Sequence, residues 1–113
     1  MADAAATMIP TLVTGSAIDR TQIDRIILRP SPNVQDTTME GETVLLDLSS
    51  GRYYTLNQLG SVIWEHCTGL TSLRDIHTVL CDRFDVAPER ALDDLVNLVN
   101  ELILEGLLQQ ERR

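Results

Sequence analysis

The chain's 113 residues, 43% hydrophobic and 23% charged, suit one small globular domain and exclude a two-domain enzyme with an interdomain cleft. Nine basic residues, all arginine, face seventeen acidic ones, giving a net charge of −8 and a pI near 4.5. That balance disfavours gripping a nucleic-acid backbone or an anionic membrane, and the apolar fraction disfavours a disordered chain.

Residues 1–22 mix small and polar side chains without sustained periodicity. With Asp3 near the start, a first basic residue only at Arg20, and Pro10 and Gly15 interrupting, no export signal is expected. No apolar run approaches the ~20 residues of a membrane helix, so a cytoplasmic setting is expected. Ile23, Ile26 and Ile27 recur at helix-like spacing, but Pro30 and Pro32 cut the segment short. The expected organisation is therefore a flexible extension over 1–30, a folded domain over 31–109 and a tail over 110–113.

From Val34 to Leu56 the pattern predicts a three-stranded antiparallel meander. Val34 to Met39 is rich in threonine and valine, and Glu40-Gly41 turns the chain. Thr43 to Leu48 is the strongest strand signal, followed by a turn at Ser49-Ser50-Gly51. Arg52 to Leu56 returns as the third strand and carries two of the chain's four aromatic residues.

The period then changes from two to about 3.6. Asn57 is a candidate N-cap for a helix whose face is marked by Leu59, Val62, Ile63 and Cys67, with Trp64 on the flank and Gly69 as a stop. Ser72 and Asp75 resemble a capping box ahead of Leu73, Ile76, Val79, Leu80 and Phe84. Pro88 suits the first position of a third helix running to about Leu104, with Gly106 closing it. On a helical wheel, eight apolar residues between Ala91 and Ile103 fill an arc of roughly 160°, wider than the ~100° a small core needs. The surplus could be covered by the sheet, a second subunit or a ligand. The fold class is thus α+β and winged-helix-like: a three-stranded antiparallel β-meander followed by three α-helices.

Chemistry-bearing motifs are sparse. His77 and Cys81 stand four apart on one helical face, but His66 and Cys67 are adjacent and point apart, so no metal is expected. Cys67 and Cys81 read as reduced core thiols rather than a disulfide framework. There is no nucleophile elbow, phosphate-cradling glycine loop or His-Glu-x-x-His helix, so neither catalysis nor a cofactor is expected. A DNA-reading third helix would carry arginines; this one sets Glu89, Asp93, Asp94, Glu101 and Glu105 against Arg90 alone. What remains is the third strand, guarded only by Arg52 where edge strands usually carry lysine, proline or charge. An open edge beside a wide apolar helix suits an extended peptide.

The stretch Val44-Leu45-Leu46-Asp47-Leu48-Ser49-Ser50-Gly51-Arg52-Tyr53-Tyr54-Thr55-Leu56-Asn57 resembles the PqqD-like proteins. The later Asp93-Asp94-Leu95, Leu102 and Glu105-Gly106-Leu107-Leu108 are similar to the end of that family's last helix. The resemblance covers about residues 34–109. It implies a non-catalytic recognition element that binds the leader segment of a ribosomally made precursor peptide and presents it to modifying enzymes. The leader is expected to add as an antiparallel strand to Arg52, Tyr53, Tyr54, Thr55 and Leu56. It would lie in a cleft beside Leu95, Leu98, Val99 and Leu102, with few charges there beyond Arg52 and Asp94. Stand-alone leader-binding proteins of lasso-peptide pathways are the nearest in form, with a leader peptidase and a macrolactam synthetase as expected partners. The branch serving radical-SAM enzymes, including quinone-cofactor biosynthesis, comes second. The first thirty residues exceed the usual short family start. The alternative of a different class is an acidic winged-helix module for DNA-associated regulation or dimerisation.

Overall fold

Alternating residues between Val34 and Leu56 build a three-stranded antiparallel sheet in the structure, a computed structural model that describes residues 18–111. Its strands are β2 (Val34–Met39), β3 (Glu42–Asp47) and β4 (Tyr53–Leu56), preceded by β1 (Ile27–Pro30) elsewhere in the fold. Glu40 and Gly41 both take positive φ, 54° and 84°, as a two-residue hairpin turn of the mirror-image type requires. Leu45 faces Tyr54 and Thr43 faces Leu56, and these four side chains are buried on the inner face of the sheet.

Three helices follow: α1 (Gln58–His66), α2 (Leu73–Arg83) and α3 (Pro88–Leu104). Asn57 caps α1 by accepting from the Gly60 amide at 2.9 Å, and Ser72 caps α2 by accepting from Asp75 at 3.2 Å. The α3 helix ends in a Schellman motif: the Leu107 amide donates to the Leu102 carbonyl and that of Gly106 to Ile103. Gly106 makes this closure possible at φ 79°, a conformation that strains any side chain. Trp64 donates its indole N–H to Asp36 at 2.6 Å, tying α1 to β2. One core runs through the sheet and all three helices, including Leu45, Leu56, Ile63, Ile76, Leu95 and Leu102.

The α+β class, the meander and the three helices are as the sequence predicts. The likeness to a winged helix is only loose, because the sheet precedes all three helices. The domain limits need correction. β1 pairs antiparallel with β5 (Leu108–Glu111) as a separate two-stranded ribbon, from Ile27 opposite Glu111 to Pro30 opposite Leu108. Leu28 and Leu108 bury their side chains in the core, so neither strand is a loose end. Ahead of the ribbon, a single 3-10 turn spans Arg20–Gln22, with Ile18 and Ile23 buried beside it. The Asn100 carboxamide clamps Ile18, accepting from its amide at 2.8 Å and donating to its carbonyl at 3.1 Å. Arg20 adds an ion pair to Asp93 at 3.1 Å. This strap packs on one flank of α3 and takes up part of the surplus width of its apolar arc. Folded structure thus reaches into residues 18–30 and 110–111, beyond the expected 31–109. The rest of the expected extension, residues 1–17, and residues 112 and 113 of the tail lie outside the described residues.

Candidate peptide-binding edge

β4 sits at the end of its sheet, with β3 on one side. Among the described residues no strand pairs with its other side. Which backbone groups face that open side follows from the register. The Asp47 amide donates to the Arg52 carbonyl at 2.9 Å, so Asp47 and Arg52 are a hydrogen-bonded pair. Alternation along an antiparallel ladder then assigns Tyr54 and Leu56 to bonds with β3. The N–H and C=O groups of Tyr53 and Thr55 point outward. β4 itself carries no proline and no charged side chain, so two of the usual protections against strand addition are missing, with Arg52 alone at its start.

Side chains alternate in the opposite sense. Tyr54 is 7% exposed and enters the core, whereas Tyr53 is 72% exposed on the outer face. Leu56 is buried and Thr55 half-buried. At the start of the strand, Tyr54 donates its hydroxyl to Glu105 Oε1 at 3.0 Å, and the Arg52 guanidinium stands 3.9 Å from the same oxygen. The guanidinium also lies over the Tyr54 ring, 5.9 Å from its centroid. Burial, then the hydrogen bond to Glu105, raise the Tyr54 phenol above its ordinary value, so it remains a donor through the neutral range. Glu105 follows the last turn of α3, so this cluster joins the first residues of β4 to the end of the helix.

The sequence-predicted site residues divide into three groups. Arg52, Tyr53, Tyr54 and Thr55, with buried Leu56, share the β4 edge. Leu95, Leu98, Val99 and Leu102 are all buried and belong to the single core that α3 shares with α1, α2 and β5. They are core side chains rather than exposed ones. Asp94 pairs with Arg90 at 3.5 Å and lies eleven residues before Glu105, ~16 Å along the helix axis. It is not brought to Arg52. Glu105 is the residue sequence reasoning missed. Its signal lay on the wheel, where it falls beside Leu98 on the flank facing away from Asn100.

Elsewhere, His77 Nε2 is within 2.7 Å of the Pro88 carbonyl and 3.7 Å from Cys81 Sγ. Among the described residues no three His, Cys, Asp or Glu side chains converge as a metal site would need, and no helix is long and apolar enough to cross a membrane.

Residues 42–108 match the family model described as coenzyme PQQ synthesis protein D. The chain belongs to the PqqD family. Two solved structures share its fold over most of its length. A structure of TbiB1 in complex with the TbiA(beta) leader peptide is 26% identical, with a TM-score of 0.68 over 75% of this chain and 99% of that one. A lasso peptide synthetase B1 complexed with its leader peptide is 27% identical, with a TM-score of 0.66 over 73% and 96%. The heterocyclase TruD, at 20% identity and a TM-score of 0.55, shows the same fold within 12% of a much longer chain. No curated protein sequence matches the chain.

Proposed function

We propose that this PqqD-family protein is a non-catalytic adaptor that takes the leader segment of a ribosomally made precursor peptide as an added antiparallel strand on β4. The observation that carries this reading is the open β4 edge, with the amides of Tyr53 and Thr55 turned outward. Main-chain bonds there supply affinity for an extended peptide, and the cluster of Arg52, Tyr54 and Glu105 borders one end of the edge. The two leader-bound structures that resemble this chain support the same reading and favour a lasso-peptide pathway, with a leader peptidase and a macrolactam synthetase as partners, over a radical-SAM enzyme. The protein works in the cytoplasm, where precursor peptides are made. Duplex DNA is a poor competitor, because α3 is acidic along its exposed face.

The test is a titration of a fluorescently labelled leader peptide, taken from a precursor encoded beside this chain, followed by anisotropy. Micromolar or tighter binding is expected. Thr55→Pro deletes one outward amide without removing a bond to β3, and should weaken binding roughly three- to tenfold, the net worth of one hydrogen bond. Leu104→Glu is the control: Leu104 is 46% exposed on α3, and this variant should bind as wild type does. Glutamate at Leu98 or Leu102 does not serve, since a carboxylate at either buried position unfolds the helix packing. A folded Thr55→Pro protein that binds the leader at wild-type strength would remove the β4 edge from consideration.

A further inference from the structure

Along the rungs that include Tyr53 and Thr55, the outer face of the sheet is polar on β2 and more apolar on β3 and β4. On β2, Gln35 and Thr37 are polar and exposed. Opposite them on β3 stand Leu46, half-buried, and Val44, 43% exposed. Opposite those on β4 stand Tyr53 and Thr55. A large aromatic ring is therefore held in solvent at the last strand, beside two aliphatic side chains and next to unpaired backbone groups.

A strand added to β4 places alternate side chains on both faces of the extended sheet. Because Tyr53 and Thr55 aim their amides outward, the residues bound to them are hydrogen-bonded partners whose side chains fall on this same outer face. The peptide residue between those two points instead toward the inner face.

We propose that Tyr53 is a specificity-determining residue, reading an apolar side chain on the outward face of the bound peptide. The inference rests on the leader-binding reading of β4 and deepens it. A leader recognised by this protein carries an apolar residue opposite Tyr53. It carries a small or β-branched residue two positions earlier, opposite Thr55, where Val44 and Thr55 leave a shallower surface. The ring of Tyr53 packs on the first of these while its hydroxyl stays wet. Recognition is thus divided between the two faces of one added strand, and a peptide with apolar residues only on the inner face is discriminated against.

The experiment uses a displayed library of random twelve-residue peptides, selected separately on the full chain, on Tyr53→Lys and on Thr55→Pro. Tyr53 is exposed, so its replacement leaves the core intact. Peptides enriched on the wild type are expected to share an apolar residue at one position. Selection on Tyr53→Lys should replace that residue with an acidic one at the same position and leave the others unchanged, because opposite charges pair across strands. One enriched peptide, synthesised and titrated, should lose about three- to fivefold in affinity against Tyr53→Ala. If enrichment is lost on Thr55→Pro but the consensus is identical on wild type and Tyr53→Lys, the edge binds peptide and the role given to Tyr53 is wrong. If Thr55→Pro enriches the same peptides as wild type, or if nothing enriches on wild type, the β4 reading fails and takes this inference with it.

Discussion

Cys67 and Cys81 differ chiefly in how far water reaches them, and that difference has a measurable sign. Burial pushes the Cys67 thiol from its ordinary 9.0 up to about 12, while Cys81 is only half-buried. In the unfolded chain Cys67 ionises near 9, so between pH 9 and 12 only the unfolded state releases this proton. Stability is therefore full below pH 9 and falls as the pH climbs toward 12, and the raised Tyr54 phenol adds to the same decline. Guanidinium unfolding followed by Trp64 fluorescence should show that alkaline limb, and Cys67→Ala should flatten most of it. A thiol reagent at neutral pH should modify Cys81 first and Cys67 only on unfolding. The turn before β3 holds a second residue-scale expectation. Glu40 sits at φ 54°, where asparagine is far better tolerated, so Glu40→Asn should raise stability by roughly 0.5–1 kcal/mol in the same assay. At this scale the in-out alternation of Tyr53 and Tyr54 was legible from a period of two. The approach of Glu105 to Tyr54 was not, because it depends on how α3 lies against the sheet.

Among the elements, α3 starts without a side-chain cap. Its N-cap is Ala87, whose side chain makes no capping bond, so the first turn relies on Pro88 at N1 and the acidic Glu89. Ala87→Ser supplies an oxygen for an exposed amide and should stabilise the protein by about 1 kcal/mol, read as a shift in the denaturation midpoint. The six elements from β2 to α3 could be read from the sequence because each is announced locally. Gly41 and Gly51 mark the turns, Asn57 and Ser72 the caps, and the apolar period changes after Leu56. β1 and β5 had no such announcement. Ile23, Ile26 and Ile27 mimic a helical spacing, and Leu108–Glu111 is too short and polar to read as a strand. Both exist because each gives the other its hydrogen bonds, and that pairing joins residues some eighty positions apart.

For the whole molecule, the strap of residues 18–23 and the ribbon bring structure from outside the expected limits into one core. A chain beginning at Ser31 loses Ile18, Ile23 and Leu28, which are all buried, and leaves β5 without its partner. Removing even one such side chain typically costs ~2–5 kcal/mol, so this truncation should be largely unfolded by circular dichroism at 25 °C. Asn100→Ala is the milder version. It leaves the Ile18 amide and carbonyl without side-chain partners and should cost about 1–3 kcal/mol. The excess width of the α3 arc was visible in the sequence, but not its cover, since nothing before Pro30 announces that it packs on the helix.

The clamp at Ile18 also sets a direction of approach. Asn100 and Glu105 project from α3 ~140° apart, one toward the strap and the other toward β4. The helix body, ~10 Å across, stands between them. A dye or affinity handle attached on the strap itself, within residues 18–23, is therefore held behind the helix. An immobilised protein held from that side would offer its open strand to the solvent.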